Sequence, residues 1–241
     1  MVENDEVIEI LDRWIDSERG VYHHVVNTGM HGIMEGRRDA KLRAILDAAD
    51  LFVPDGILAV TVARLKGFRI RKRNVGPDLL WRFATIANEK KYSYFLFGDT
   101  DENLNLMAEK LRENFPDLRL AGVLSPPFRP LSSEEDEAIL QTINESNADV
   151  VWVGLGMPKQ EHWISEHRGR LNVTVAVGVG AAFKLLGGSV SRSPRWLGNA
   201  GFEWLWRLVQ EPRRVWRRVF IDAPQFIALV FLEFTGLKKF S

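Results

Sequence analysis

The amino-acid sequence predicts an α/β fold: a mostly parallel sheet with helices on both faces, followed by a helical C-terminal appendage. Two observations carry this. Short apolar runs rich in β-branched and aromatic residues alternate with segments of helical pattern, which argues for parallel strands joined by helical crossovers. Near Gly187 the character of the chain changes, and the segment beyond it is dominated by Arg and Trp.

The strand candidates, in order, are 22–27, 50–53, 92–98, 118–123, 149–154 and 173–178. The helical patterns between them cover 38–48, 57–65, 77–89, 102–115, 132–146 and 159–167. The helix opening at Ser132 or Ser133 has the strongest start signal: Ser133 with Asp136 three later, an acidic first turn, then apolar spacing. This order describes a Rossmann-like body over 1–190 and an Arg/Trp-rich helical appendage over 191–241. No internal repeat or low-complexity tract interrupts it.

Composition sets the outer bounds. The 241 residues are 46% hydrophobic and 27% charged, an ordinary globular mix with enough apolar residues for a core. Lys+Arg and Asp+Glu are both 32, so any electrostatic message lies in how charge is distributed. There is no cysteine, which excludes disulfides, thiolate metal sites and a Cys nucleophile, and fits a reducing compartment. The acidic start, MVENDEVIEI, has no basic n-region or apolar h-region and is not expected to be a signal peptide. The longest apolar stretch, 226–234, contains Glu233 and falls well short of the roughly 18–20 residues a spanning helix needs. A cytoplasmic protein that touches a membrane is the expectation.

In open parallel sheets, ligands bind beyond the carboxyl ends of the strands. After the second strand comes Pro54-Asp55-Gly56, where a carboxylate could accept a proton from a substrate hydroxyl; an Asp before Gly also serves as a turn or helix cap. After the fifth comes Gly154-Leu155-Gly156-Met157-Pro158-Lys159-Gln160-Glu161, with Pro158 suited to a first helical turn, and Gln160 in reach of a sugar or phosphate there. After the sixth comes Gly178-Val179-Gly180-Ala181-Ala182-Phe183. Neither glycine run is a full G-x-G-x-x-G. The four glycines 154, 156, 178 and 180 suit either a phosphate crevice or close helix–sheet packing. In the basic loop 71–78, Arg73 is a candidate to neutralise a diphosphate, while Arg71 and Lys72 read as solvated charge. No H-E-x-x-H or G-x-S-x-G pattern is present, and neither a metal centre nor a serine nucleophile is expected.

The appendage is the most unusual segment. Between Arg192 and Arg218 there are seven Arg against two Glu, a local net charge of +5, and four of the eight Trp. Arg207, Arg214 and Arg218 recur at helical spacing with Arg217 beside them. Trp with flanking Arg fits an interfacial membrane helix, each cation adding about 1 kcal/mol near an anionic leaflet. A nucleic-acid surface is the electrostatic alternative, and a helical hairpin with Trp inward and Arg outward is the structural one. The apolar run 226–234 favours the membrane over nucleic acid.

Taken together these residues resemble the bacterial WecG/TagA/CpsF glycosyltransferases over nearly the whole chain. The resemblance rests on Pro54-Asp55-Gly56, Arg73-x-x-Gly76-x-Asp78-Leu79, Gly154-x-Gly156-x-Pro158-x-Gln160-Glu161 and Gly178 through Phe183. It continues through Arg192-Ser193-Pro194-Arg195-Trp196, Glu203-Trp204-x-x-Arg207-Leu208 and Glu211-Pro212-Arg213-Arg214. Each motif alone is weak; in this order they match strongly.

The resemblance implies an inverting, metal-independent transfer with no cofactor. A sugar such as N-acetylmannosamine or a related hexose would pass from a UDP-sugar to a polyprenyl-diphosphate-linked saccharide in cell-surface polysaccharide synthesis. The enzyme would be peripheral on the inner face of the cell membrane, bind an anionic surface rather than nucleic acid, and leave room for a homo-oligomer. It implies Asp55 as catalytic base and Gln160 as an active-site residue. Arg207, Arg214 and Arg217 would contact the acceptor diphosphate. Two positions depart from the family pattern. Asn27-Thr28-Gly29 stands where many members have T-x-N, with Thr28 taken as the counterpart of the catalytic threonine, and Lys184 stands where many have Asp. The rival readings are a nicotinamide-dependent oxidoreductase, disfavoured by the incomplete glycine motif, and a non-enzymatic nucleotide- or nucleic-acid-binding protein using its basic tail.

Overall fold

A computed structural model describes residues 4–70, 76–191, 193–194, 197 and 203–237, apart from the side chains of Glu203 and Arg214. Six strands form one all-parallel sheet: β1 (His23–Thr28), β2 (Leu51–Pro54), β3 (Ser93–Gly98), β4 (Arg119–Leu124), β5 (Val150–Gly154) and β6 (Val175–Gly178), in the order β2-β1-β6-β5-β3-β4. All six lie within two residues of their predicted positions.

Strand β5 shows why the runs read as they do. Val150 and Trp152 point to one face of the sheet, Val151 and Val153 to the other, and all four are buried. Both faces are covered, so the strand needs apolar residues at every position. One face packs on α1 (Asn4–Ser17), α5 (Gly76–Lys90), α6 (Asp101–Asn114) and α9 (Ala182–Gly187). The other packs on α7 (Ser133–Glu145) and α8 (Lys159–Glu166). The remaining body helices are α2 (Met30–Arg38), α3 (Ala40–Asp47) and α4 (Ile57–Leu65).

Helix α7 takes the first of its two expected starts, and only the capping pair lies one residue earlier. Ser132 is the N-cap and Glu135 its capping-box partner, where Ser133 and Asp136 had been expected. The reason lies outside the helix. Asp136 is taken by Trp163 Nε1 (2.9 Å) on α8 and His167 Nε2 (2.9 Å) at its C-cap, while Arg129 clamps Glu135 with both terminal guanidinium nitrogens. That clamp and the Ser132 backbone N–H lower the Glu135 pKa to about 2.

Beyond the body come α10 (Glu203–Gln210), α11 (Pro212–Arg217), a π-helical turn (Arg218–Asp222) and α12 (Ala223–Phe234). They dock on the body through side chains far apart in sequence. Arg38 of α2 pairs with Asp222, 184 positions away, and Lys66 beyond α4 pairs with Glu233 at 2.6 Å. Trp206 Nε1 and Gln210 Nε2 each donate to Ser191 O at 3.2 Å. Among the described residues, no helix is long and apolar enough to cross a membrane.

Candidate active site

The chain runs from β1 outward to β2, crosses to β3, and returns through β5 to β6, which lies beside β1. The segments after β1, β2, β5 and β6 therefore meet at the carboxyl edge of the sheet, the position expected for a ligand crevice. They enclose a cavity of about 570 Å³, large enough for a drug-sized ligand. Helices α10 to α12 form its outer wall, contributing Trp204, Arg207, Glu211, Val215 and Arg218.

Asp55 lines this cavity and is half-buried. Its backbone N–H donates to Thr28 O at 2.9 Å, which ties the turn after β2 to the end of β1. The approach is close: a methyl group on Gly29 would stand 2.0 Å from Asp55 O, so only glycine fits there. The N-cap position of α4 belongs to Gly56, at φ +80° and without a side chain. Asp55 is thus not the N-cap of α4, and it lines the cavity from the turn between β2 and that helix.

Thr28, buried at the end of β1, also lines the cavity; its side chain fits because Gly32 on α2 has none. Asn27 beside it lines the cavity too, and its Oδ1 is buried with no hydrogen-bond partner among the described residues. An orphaned buried acceptor of this kind suits a ligand donor.

Gln160 sits at the centre of the crevice, buried, with its amide engaged by protein. Its Oε1 accepts from Gly156 N (3.1 Å) and Gly180 N (3.0 Å), and its Nε2 donates to Glu161 Oε1 (2.9 Å). Glu161, fully buried, holds His24 Nε2 at 2.8 Å through its other oxygen. The result is a clamp that joins the two glycine loops across β5 and β6 and is anchored behind the sheet edge. Gly156 and Gly180 line the cavity with their N–H groups directed at Gln160. Gly154 and Gly178 stand off its wall. A methyl on Gly154 would meet Phe183 at 2.5 Å, and one on Gly178 would meet Gln160 Nε2 at 2.4 Å, so these two glycines serve packing.

Arg207, half-buried, faces the cavity from α10. Arg217 is exposed at the end of α11 and off the cavity wall, whereas its neighbour Arg218 lines it. Arg214 lies on α11, with its side chain outside what the structure describes; Arg73 lies outside the described residues altogether, as do Arg192, Arg195 and Trp196. Lys184 is half-buried in α9 and off the wall. The hairpin with Trp inside and Arg outside holds only in part for the described tail side chains: Trp206 is half-buried and Arg213 and Arg217 are exposed, but Trp204 and Trp216 are 41% and 49% exposed while Arg207 and Arg218 are half-buried.

With a strand-end carboxylate, a buried amide clamp and two arginines from the tail on one cavity, the motif pattern acquires a geometry. The profile described as "Glycosyl transferase WecG/TagA/CpsF family" matches residues 1–239. The chain belongs to this family. Two curated relatives cover most of it. The N-acetylglucosaminyldiphosphoundecaprenol N-acetyl-beta-D-mannosaminyltransferase of Bacillus subtilis (strain 168) is 28% identical over 234 residues, 97% of this chain and 88% of the relative. The same-named protein of Bacillus spizizenii (strain W23) is 29% identical over 217 residues, 90% and 81% respectively. The WecG/TagA/CpsF profile extends through the tail, so the helices that wall the cavity belong to the matched region.

Sequence reading missed His31 and Asp222, and took Arg217 rather than Arg218 from the tail into the site. His31 lines the cavity in the first turn of α2. Asp222 stands behind it, fully buried in the π-helical turn. Linear spacing carries no signal for either, because their juxtaposition depends on the tail folding back over α2.

Proposed function

We propose that the protein is an inverting glycosyltransferase that moves N-acetylmannosamine, or a related hexose, from a UDP-sugar to a polyprenyl-diphosphate-linked saccharide at the inner surface of the cell membrane. The observation that carries this reading is the composition of one cavity: Asp55 at a strand end faces a wall that includes Arg207 and Arg218. The names of both relatives state a mannosaminyl transfer to a diphosphoundecaprenol-linked sugar.

In this reading Asp55 takes the proton of the acceptor hydroxyl as its oxygen attacks the anomeric carbon from the face opposite the departing UDP. The diphosphate charge is balanced by guanidinium groups rather than a metal, with Arg207 and Arg218 placed for it. The Gln160 clamp holds the two glycine loops in fixed register, so the donor meets a preorganised floor.

The tail also supplies a docking face. Phe220, Ile227, Phe231 and Phe234 are each at least half exposed; the last three recur four and three apart on α12, and Phe220 precedes them by seven in the π-helical turn. Exposed Trp204 and Trp216, with Arg213 and Arg217, complete an amphipathic surface suited to an anionic membrane interface. A water-soluble donor and a membrane-held acceptor would then meet in a cavity whose wall is the docked tail.

The test is a panel of UDP-sugars with a short-chain prenyl-diphosphate N-acetylglucosamine, read as UDP release. Acceptor-dependent release with an N-acetylhexosamine donor supports the reading. No release with any donor, together with salt-sensitive DNA binding, would favour the nucleic-acid alternative instead.

A further inference from the structure

His31 has a buried partner in the tail. Its ring, 22% exposed, lines the cavity, while Nδ1 is turned inward with no hydrogen-bond partner among the described residues. Asp222 Oδ2 is likewise buried and unpartnered, and the two atoms face each other at 3.5 Å. Asp222 belongs to the π-helical turn that interrupts the helical run between α11 and α12, and such turns often accompany functional sites.

A neutral imidazole has one N–H and one lone pair. With the proton on Nδ1, a shift of a few tenths of an ångström closes a charge-assisted bond to Asp222 and satisfies both orphaned atoms. With the proton on Nε2, the Nδ1 lone pair would face a carboxylate oxygen in a buried setting, which is repulsive. The first tautomer wins and leaves Nε2 as an acceptor.

The groups around the ring keep it uncharged. Burial is the largest influence and Arg218 the next; both lower the His31 pKa, while Glu35 on its own helix and Asp222 oppose them, and the result is about 4. Arg38 bridges Glu35 and Asp222, so two guanidiniums balance two carboxylates. The donor atoms of His31, Glu35 and Asp222 lie within 4.8 Å of one another, close enough to chelate a cation. The Arg38 guanidinium, bonded to both carboxylates, already supplies the countercharge, and a divalent ion there would face Arg218 as well.

We propose that His31 is an acceptor-binding residue whose Nε2 receives a hydrogen bond from a hydroxyl of the acceptor saccharide, and that Asp222 is the positioning residue that sets its tautomer. The inference rests on the proposed glycosyl transfer. It makes the docked tail a working part of the site, because the carboxylate that orients His31 arrives with it.

The test uses the full chain labelled with ¹⁵N-histidine, with His31 assigned by the resonances lost in His31→Gln. Long-range ¹H–¹⁵N correlation at neutral pH without substrate should show wild-type His31 uncharged and protonated at Nδ1. Asp222→Asn should move the population toward Nε2–H. A charged ring, an Nε2–H tautomer in the wild type, or a saturable shift of these resonances on adding Mg²⁺ or Zn²⁺ would overturn the assignment. In the UDP-release assay, His31→Ala and His31→Gln should raise acceptor KM about 3- to 10-fold with UDP affinity unchanged, the loss expected of one hydrogen bond. Acceptor KM unchanged in both variants would overturn the contact. Wild-type turnover alone decides the glycosyl-transfer reading. The tautomer needs no turnover, so the two failures are distinguishable.

Discussion

Phe220 and Phe231 offer the sharpest test of the docking face. Each is 63% exposed in the structure, so little of either side chain is engaged in holding the tail to the body. Full burial of a Phe side chain is worth about 1.5–3 kcal/mol, and the exposed fraction scales this to about 1–2 kcal/mol per residue on entering an interface. Removing both, as Phe220→Ala with Phe231→Ala, should weaken membrane partitioning by about 2–4 kcal/mol, or ~30- to ~700-fold at 1.4 kcal/mol per decade. Co-sedimentation with anionic phospholipid vesicles at about 0.15 M salt measures this directly. Thermal unfolding should barely move, because exposed substitutions of this kind usually stay within about 0.5 kcal/mol. A double variant that sediments as well as the wild type would refute the assignment of this stripe to the membrane. Raised salt should weaken binding in both proteins, since the cations beside the stripe contribute by charge.

Three further outcomes follow from particular groups. Glu161→Ala should cost about 2–4 kcal/mol in urea-denaturation stability, because it strands His24 Nε2 and Gln160 Nε2 in a buried site; Glu161→Gln should cost less by keeping partners for both. His31 has a folded-state pKa near 4 against 6.5 for the free side chain, so between those values the unfolded chain binds the proton more readily. Stability due to this group is therefore complete above about pH 6.5 and lost as pH falls towards 4, and His31→Gln should flatten that part of the wild-type stability–pH curve. Treatment with EDTA should leave UDP release within about twofold of the untreated rate if guanidiniums rather than a metal carry the diphosphate charge.

The body was legible in the sequence because its strands are buried on both sides. Val150 to Val153 and Val175 to Val177 have no polar position to blur the signal. Helix α1 was equally readable, since Val7, Ile8, Leu11, Trp14 and Ile15 recur on one buried face, but its acidic surface drew the reading to charge rather than periodicity. Helix α2 carries a weaker pattern: MHGIMEGRR has two glycines, and its buried positions include both of them. Asp55 and Gln160 could be placed at the crevice because strand ends are where a parallel sheet presents ligands, whereas Thr28 entered only through the family resemblance. The internal use of the Gln160 amide could not, because its partners Gly156, Gly180 and Glu161 come together only when β5 and β6 are paired. Arg218 was legible by spacing, which puts it on one helical face with Arg207; the family pattern pointed instead to Arg217, its neighbour about 100° round the helix, which is exposed and off the cavity wall.

The central claim is that Asp55 removes the acceptor proton inside a cavity completed by the tail. Asp55→Asn, measured by acceptor-dependent UDP release alongside UDP affinity, tests it most directly. The account predicts a fall in turnover of about 10²- to 10⁴-fold, the usual worth of a general base, with UDP affinity within about twofold of wild type. A variant that turns over at the wild-type rate would contradict it.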